Sequence, residues 1–196
     1  MLIESDIFAR LPVLTTPTLT LRAARMNDAR DMYEYSRDPL VARHVLWEAH
    51  TSIWQTRGYL RYLLRQYRAG QPGTFVIEHT QEKKVIGTIG LMWILQENRS
   101  AEIGYSLSRQ YWNRGLMSEA VAAILAFCFD TLRLNRVEAQ HELDNPASGA
   151  VMRHAGMRQE GVLRQRVYNK GRYVDVALYA ILRDDYEALR RKEGKL

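Results

Sequence analysis

The segment between residues 101 and 120 holds residue types that could bind a phosphate group. A strand-like stretch ends at Leu107, a polar loop follows, and Gly115 stands before a long apolar helix pattern. The first turn of a helix has unpaired N–H groups and a partial positive charge, so it binds phosphate oxygens through its backbone. Gly115 allows close approach of the backbone, and Arg109 and Arg114 flank the loop as cations. The pattern predicts a phosphate-binding loop; an ordinary strand-to-helix turn is the alternative.

The elements around this loop follow a mixed order of strands and helices. Strand patterns occupy residues 18–22, 74–78, 85–94, 101–107, 136–143, 157–164 and 173–182. Helical patterns occupy residues 27–36, 52–69, 117–132 and 146–154. Three strands in succession, joined by polar turns, predict an antiparallel meander. The order predicts an α/β (α+β) fold with a mixed, mostly antiparallel sheet flanked by helices.

The whole chain, residues 1–196, is expected to form one domain. It contains no internal repeat, low-complexity tract or flexible linker that would mark a boundary. Residues 1–14 are predicted as an N-terminal arm that ends at Leu11-Pro12, and residues 183–196 as a charged C-terminal tail. The helix over residues 52–69 is expected to turn five apolar side chains inward: Ile53, Leu60, Leu63, Leu64 and Tyr67.

Composition excludes several classes of protein. Of the 196 residues, 46% are apolar and 26% are charged, as in globular proteins, which excludes disordered and fibrous chains. Cys128 is the single cysteine, so no internal disulfide can form and a reducing compartment is indicated. No apolar run approaches the ~20 residues that span a bilayer, and the N-terminal residues lack the positive charge of a signal peptide. We therefore expect a cytoplasmic protein with no membrane partner.

Positive charge is concentrated in two places. Lysine and arginine number 28 against 22 aspartates and glutamates. An arginine stripe follows one side of the helix over residues 52–69: Arg57, Arg61, Arg65 and Arg68. A C-terminal basic patch, opposed by Glu160, contains Arg153, Arg158, Arg164, Arg166, Lys170 and Arg172. Each group is either a solvated face or a docking surface for something anionic, such as a phosphate-bearing cofactor, an acidic protein or RNA.

Four short motifs, in order, resemble those of the GNAT N-acetyltransferases, and within them the bacterial branch that acetylates the N-termini of ribosomal proteins. They are Glu102-Ile-Gly-Tyr105; Arg114-Gly-Leu-Met-Ser-Glu-Ala120; Asp144-Asn-Pro-Ala-Ser148 with Ala155-Gly-Met157; and Glu160-Gly161 with Tyr173-Val-Asp175 and Leu178-Tyr179. The resemblance extends from Leu19 to Tyr179. It implies acetyl-CoA as cosubstrate, no metal, and direct attack of an amine on the thioester without an acyl-enzyme.

The resemblance also implies which residues hold acetyl-CoA. Backbone amides bind its pyrophosphate, the strand that ends at Leu107 pairs with the pantetheine arm, and Asn145 hydrogen-bonds that arm from the other side. The amides are those of Asn113, Arg114, Gly115, Leu116 and Met117. Arg109 is expected to add charge beside the loop, and Trp112 either covers the cofactor or only packs.

Glu102 is the leading candidate for the base, since many members of the family use a glutamate near this position. The alternative is a structural carboxylate paired with Arg99 or Arg136. One enzyme type of the ribosomal branch carries a glutamate where this chain has Val167, which cannot accept a proton. Three histidines remain as further alternatives: His44, His141 and His154.

Ser148 is the candidate acid. The tyrosine that usually protonates the thiolate aligns with Met152, which cannot donate, whereas the ribosomal branch places a serine where this chain has Ser148. Its hydroxyl either passes a proton to the thiolate or caps the helix. Cys128 is expected to be a small buried hydrophobe, because it shares an apolar helical stripe with Val121 and Ile124.

The acceptor is open to three interpretations. The resemblance places the helix over residues 52–69 and the turn near Lys170 at the acceptor site, so the two basic groups are expected to converge on its mouth and attract an acidic acceptor, with Trp47 and Trp54 at the entrance. The chain then acetylates a protein N-terminus, or a small-molecule amine, or binds CoA without catalysis. No nucleic acid is required, and a homodimer stays open.

Overall fold

The computed structural model describes residues 5–192 and residue 194. Residues 1–4 of the predicted arm and residues 193, 195 and 196 of the predicted tail lie outside the described residues. Within the arm, α1 is Ser5–Ala9. The tail begins as a helix, α7 (Arg183–Lys192), whose Tyr186 ring stacks on Phe129 with 4.7 Å between centroids.

Apart from β1 and α3, which the sequence analysis did not predict, the remaining elements follow the predicted order. The strands are β1 (Leu14–Thr15), β2 (Leu19–Ala23), β3 (Thr74–His79), β4 (Lys84–Leu95), β5 (Ser100–Leu107), β6 (Arg136–Glu142), β7 (Arg158–Asn169) and β8 (Arg172–Leu182). The helices between them are α2 (Ala29–Ser36), α3 (Pro39–Ala42), α4 (Ile53–Arg68), α5 (Leu116–Ala126) and α6 (Pro146–His154). Short 3₁₀ turns cover Met26–Asp28 and Arg109–Tyr111, and α5 continues as a π-helical turn over Phe127–Thr131.

Helix α3 is an element that the sequence analysis missed. The pair Asp38-Pro39 ends α2 as expected, but it also starts a new turn, because Asp38 accepts a hydrogen bond from the Leu40 amide at 2.9 Å and proline fits the first helical position. This turn directs the chain from α2 toward residues 43–50.

The strands form one sheet in the order β1-β2-β3-β4-β5-β6-β8-β7. Neighbouring strands are antiparallel except β5 and β6, which pair in parallel over Ser100–Glu102 and Arg136–Glu138 only. Beyond Glu102, β5 stays paired with β4 as far as Leu107, but no described strand pairs with its other side. The predicted mixed, mostly antiparallel sheet is therefore confirmed, and it contains a wedge-shaped gap between β5 and β6.

Helices pack on both faces of the sheet. On one face, α5 lies on the larger core, which includes Phe75, Ile103 and Ile124. On the other face, α2 and α4 cover a smaller core, into which Leu60, Leu63 and Tyr67 point from α4 as predicted, with Ile53 and Leu64 partly buried beside them. None of the described helices is long and apolar enough to cross a membrane.

Candidate functional site

A cavity of about 550 Å³ opens where β5 separates from β6. Its walls come from α3 and the residues that follow it, from the end of β5, from the loop before α5, and from α6. Nine of the predicted site residues line it: Leu107, Trp112, Asn113, Arg114, Gly115, Leu116, Met117, Asn145 and Ser148. Arg109 and Glu102 are not among the lining residues.

Gly115 is the N-cap of α5 and has a left-handed backbone, with φ of 75°. Any other residue would be strained in this conformation, whereas glycine adopts it freely. The first intrahelical hydrogen bond runs from the Glu119 amide to the Gly115 carbonyl at 3.0 Å. The amides of Leu116, Met117 and Ser118 therefore have no partner within the helix, and these residues line the cavity. This is the geometry that an anion-binding helix N-terminus requires.

The free edge of β5 forms the opposite wall. The Ser108 amide donates to the Ile86 carbonyl at 2.7 Å, and the antiparallel register then points the Ser106 backbone groups toward β4. By alternation, the backbone N–H and C=O groups of Tyr105 and Leu107 face the gap. One of them is used within the chain, because Trp112 Nε1 donates to the Leu107 carbonyl at 2.8 Å. The others are available to an extended ligand.

The two arginines beside the loop have different surroundings. The Arg114 guanidinium lies over the Tyr111 ring, 5.3 Å from its centroid, and Arg114 lines the cavity. Arg109 instead donates to Asp38 at 2.8 Å. It therefore links the loop to the start of α3, and its charge is already paired.

Ser148 is hydrogen-bonded to a tyrosine that the sequence analysis did not select. The Tyr105 hydroxyl lies 2.9 Å from Ser148 Oγ and donates to the Ser148 carbonyl at 3.1 Å. Burial raises the pKa of Tyr105 to about 12, although its bond to Ser148 opposes the shift, so this hydroxyl stays protonated near neutral pH. The helix-cap alternative for Ser148 is wrong, because Asn145 Oδ1 caps α6 by accepting from the Ser148 amide at 3.4 Å.

The sequence contained a pattern that could have identified Tyr105. Strand alternation places Tyr105 on the same face as Ile103, toward α5 and α6. Met152, which the sequence analysis aligned with the usual tyrosine of the GNAT enzymes, is buried. The chain thus brings a tyrosine hydroxyl to α6 from β5 rather than from α6 itself.

Glu102 lies where β5 and β6 separate, and its oxygens have neutral partners. One accepts from Trp93 Nε1 at 2.7 Å, and the other from Gln140 Nε2 at 3.0 Å. A β-bulge after Leu91 places Trp93 opposite Glu102. The alternative, in which Glu102 pairs with Arg99 or Arg136, is wrong: Arg136 binds Glu138 at 2.6 Å and Glu160 at 2.5 Å.

A polar cluster joins the segment after α3 to the ends of β6, β7 and β8. His44 Nδ1 lies 2.9 Å from Glu142 Oε2, and Asn169 donates to Glu142 Oε1 at 2.5 Å. Arg172 is 3.3 Å from both Glu142 and Asp144. Burial raises the pKa of Asp144, but the hydrogen bond from Arg172 and the charges of His44 and Arg172 outweigh this, so the net shift is downward.

This cluster has the donor types of a metal site but holds its own cation. Donor atoms of His44, Glu142 and Asp144 all lie within 4.8 Å of one another. The Arg172 guanidinium already binds both carboxylates, so the structure assigns no metal there.

The other two candidate histidines differ from His44. His141 Nδ1 bonds the Glu142 carbonyl at 2.8 Å and His141 does not line the cavity, while His154 lines it without a carboxylate partner among the described residues.

Cys128 is fully buried, and burial raises the pKa of its thiol, as expected of a core residue.

The two basic groups do not converge, because no arginine of the stripe lines the cavity. Lys170 of the C-terminal patch reaches the cavity segment, where Nζ donates to the Val45 carbonyl at 2.5 Å and to the Trp47 carbonyl at 3.1 Å. Trp47 borders a second cavity of about 70 Å³, and Trp54 is 65% exposed.

Comparison with known proteins identifies the family. A family model described as an acetyltransferase (GNAT) domain matches residues 18–158. The uncharacterized N-acetyltransferase p20 of Bacillus licheniformis is 35% identical over 176 residues, which cover 90% of this chain and 99% of the relative. The ribosomal-protein-serine acetyltransferase of Escherichia coli (strain K12) is 27% identical over 180 residues, 88% of this chain and 97% of that protein.

A solved structure supports the same conclusion. RimL, a ribosomal L7/L12 alpha-N-protein acetyltransferase in complex with coenzyme A, superposes with a TM-score of 0.79 at 25% identity, covering 89% of this chain and 99% of that chain. The resemblance deduced from the four motifs is thus confirmed. The chain belongs to the GNAT acetyltransferase family and is an acetyl-CoA-dependent N-acetyltransferase related to the ribosomal-protein acetyltransferases.

Proposed function

We propose that this enzyme transfers acetyl from acetyl-CoA to the α-amino group at the N-terminus of an acidic protein segment. The observation that supports the proposal is the gap between β5 and β6, which faces an unpartnered strand edge on one side and the N-terminus of α5 on the other. A cosubstrate with an anionic end and an extended, amide-bearing arm matches both walls.

Each part of acetyl-CoA has a complementary group in the cavity. The amides of Leu116, Met117 and Ser118 bind the pyrophosphate, with Gly115 directing them and Arg114 adding charge. The backbone groups of Tyr105 and Leu107 pair with the pantetheine arm, as one strand pairs with another. The Asn145 side-chain nitrogen, which has no partner among the described residues, can donate to that arm while its oxygen caps α6.

Ser148 and Tyr105 supply the proton for the departing thiolate. The two hydroxyls are hydrogen-bonded to one another and both residues line the cavity, so a proton that Ser148 gives up can be replaced through Tyr105. The amine attacks the thioester carbonyl directly, and no enzyme nucleophile is needed. The buried Cys128 is consistent with this, since its thiol does not reach the cavity.

The β7–β8 hairpin favours an acidic protein acceptor over a small amine. Its tip contacts the segment that lines the cavity, through Lys170 and the carbonyl of Val45. On the strands next to the tip, Tyr168 and Tyr173 are 62% and 66% exposed, and Arg164 and Arg166 of β7 are also exposed. A peptide whose terminal amine enters the cavity would meet this hairpin along its next residues, whereas a small amine would not. The names of two relatives described above, the ribosomal-protein-serine acetyltransferase and the ribosomal L7/L12 alpha-N-protein acetyltransferase, point to a protein acceptor.

The test is a panel of acceptors assayed for CoA thiol release. Acidic heptapeptides that begin with serine or alanine, basic heptapeptides with the same first residue, and small primary amines are compared. Acidic peptides are expected to give the highest kcat/KM, and their KM is expected to rise when salt is raised from low to about 0.5 M, because salt screens exposed charges. A small amine as the best substrate would overturn the acceptor. Tight CoA binding without thiol release from any acceptor would overturn the catalytic proposal.

A further inference from the structure

His44 combines two properties that the other described histidines lack. It lines the 550 Å³ cavity, and its Nδ1 bonds a buried carboxylate, that of Glu142, which is 5% exposed. The bond joins residues 98 positions apart in the chain, from the segment after α3 to the end of β6. Glu142 is fixed in turn by Asn169, which donates to its other oxygen at 2.5 Å.

This bond determines which ring nitrogen can accept a proton. A carboxylate accepts, so Nδ1 carries the hydrogen in neutral His44 and Nε2 carries the lone pair. Nε2 has no hydrogen-bond partner among the described residues. In the part of the chain that the structure describes, His141 Nε2 is the one buried side-chain nitrogen or oxygen without a partner. Since His44 Nε2 also lacks a partner but is not such an atom, it is not enclosed. The lone pair of His44 Nε2 is therefore accessible, on a residue that lines the cavity.

We propose that His44 is the general base that takes the proton from the acceptor amine, and that Glu142 is the positioning residue that sets its tautomer. This role rests on the proposed function, because it assumes that the amine meets acetyl-CoA in this cavity. It differs from the Glu102 prediction, since Glu102 does not line the cavity and both of its oxygens have donors.

The proton transfers balance. The lone pair of the neutral amine forms the N–C bond to the thioester carbonyl carbon, and His44 Nε2 takes the proton that the nitrogen then loses. The C–S bond breaks, and the thiolate takes a proton from Ser148, which is replaced through Tyr105. Imidazolium His44 returns its proton to water, and water reprotonates the hydroxyl pair. The products are the amide and the free thiol.

The charged groups around His44 come from several elements. Glu142 on β6 and Asp144 after β6 contribute two negative charges, and Arg172 on β8 contributes one positive charge. These three groups together carry a charge of −1. Two further cations are nearby: Lys170 at the hairpin tip, which binds the carbonyls of Val45 and Trp47, and Arg43, the preceding residue. Arg43 and His154 of α6 also line the cavity.

The experiment compares wild type with His44→Gln in the acceptor assay at pH 5 to 9. General bases commonly contribute 10²- to 10⁴-fold, so kcat/KM for the best acceptor is expected to fall by about 100-fold or more. The dissociation constant of acetyl-CoA, from calorimetry, is expected to stay within about twofold. At the acidic end of this range, log kcat/KM of wild type should rise with pH at a slope near 2, because both His44 and the amine must lose a proton. The variant should show a slope near 1, because only the amine must do so.

A matched control and a second variant complete the test. His79→Gln changes another histidine beside a glutamate, 3.7 Å from Glu82, outside the cavity; it should leave the rate and the slope unchanged. Glu142→Gln should lower kcat/KM by about tenfold or more and leave the dissociation constant of acetyl-CoA within about twofold, because the imidazole loses the partner that fixes its tautomer. If His44→Gln fails to fold in a thermal melt, His44→Asn replaces it, since its amide can still donate to Glu142.

Two results would overturn the assignment, and they differ from failure of the proposed function. His44→Gln with wild-type kcat/KM and an unchanged slope would show that another group takes the proton. A slope near 2 that survives in a slow variant would show that His44 acts only structurally. By contrast, wild type that binds acetyl-CoA but acetylates no amine would disprove the proposed function itself, and the role of His44 with it.

Discussion

The two sides of the cavity present different chemical groups. The α5–α6 side offers backbone amides, a left-handed glycine and two neutral hydroxyls, Tyr105 and Ser148. The opposite side, after α3, offers charged side chains, with His44, Glu142 and Arg172 in one cluster. The amide-bearing loop of the first side is encoded by residues close in sequence, whereas the contacts of the second side join residues as far apart as Val45 and Lys170, 125 positions along the chain.

The difference assigns a separate task to each side. Backbone groups have the same chemistry in every protein, so the α5 side suits a cosubstrate that every member of the family shares. Side-chain clusters change with single substitutions, so the α3 side suits the acceptor, which differs among relatives. Changes on the first side should therefore affect acetyl-CoA binding, and changes on the second should affect turnover and acceptor choice.

The largest expected effect is at the glycine. Gly115→Val should weaken CoA binding by about 100-fold in calorimetry, because a β-branched residue is strained at φ of 75° and the loop would re-aim its amides. Hydrogen bonds to charged groups contribute about 1.5–3 kcal/mol each, and about 2.7 kcal/mol is 100-fold in affinity.

Gly171→Val is the matched control for this change. Gly171 also has a left-handed backbone, with φ of 81°, and open space where a Cβ atom would stand, but it lies in the β7–β8 turn. Both variants should lose similar stability in thermal unfolding, and only Gly115→Val should lose CoA affinity. Equal loss of affinity in the two would mean that the backbone of α5 has no special part in binding.

A medium effect is expected at the hydroxyl pair. Ser148→Ala should lower kcat by about tenfold and leave the KM for acetyl-CoA unchanged, because proton donation to the thiolate is lost while water provides a slower route. Tyr105→Phe should act in the same direction, and the double variant should be little slower than Ser148→Ala, since the two hydroxyls form one unit.

Tyr67→Phe controls for the loss of a buried tyrosine hydroxyl. Tyr67 is buried, its pKa is also raised to about 12, mainly by burial, and it bonds the backbone of Ala24 and Thr74 away from the cavity. Its substitution should reduce stability without a change in kcat. If Ser148→Ala and Tyr105→Phe both keep full kcat, the proton comes from elsewhere.

The smallest effect is expected at Glu102. Glu102→Gln should change kcat by no more than about threefold and spare CoA binding, because its carboxylate binds Trp93 and Gln140 rather than facing the cavity. Steady-state rates across pH 5 to 9 check this. A 100-fold fall with loss of an acidic limb would instead identify Glu102 as the base.

Much of the fold could be predicted because its determinants are local. The spacing of Leu60, Leu63 and Tyr67 predicts the buried face of α4, and the structure confirms it. Helix α3 escaped prediction because it is only four residues long and shares Asp38 and Pro39 with the end of α2. The helical start of the charged tail escaped because charged residues at helical spacing are as common on exposed irregular segments.

The site divides in the same way. The loop around Gly115 could be found because the glycine, the apolar helix and the preceding strand are adjacent in the chain. The bond from Glu102 to Trp93 depends on a β-bulge, which shifts the register by one residue and leaves no sequence pattern of its own. The pairing of His44 with Glu142 depends on how α3 is placed against the end of β6, which no local pattern specifies.

Strands β5 and β6 pair over only three residues, so acetyl-CoA bound in the gap between them would add to the stability of the folded enzyme. A ligand that binds the folded chain alone stabilises it by about 2.7 kcal/mol at 100 times its dissociation constant. A cell rich in acetyl-CoA would thus keep this protein resistant to proteolysis, and starvation for acetyl-CoA would shorten its lifetime. The amount of active enzyme would then follow the metabolic state of the cell without any dedicated regulator.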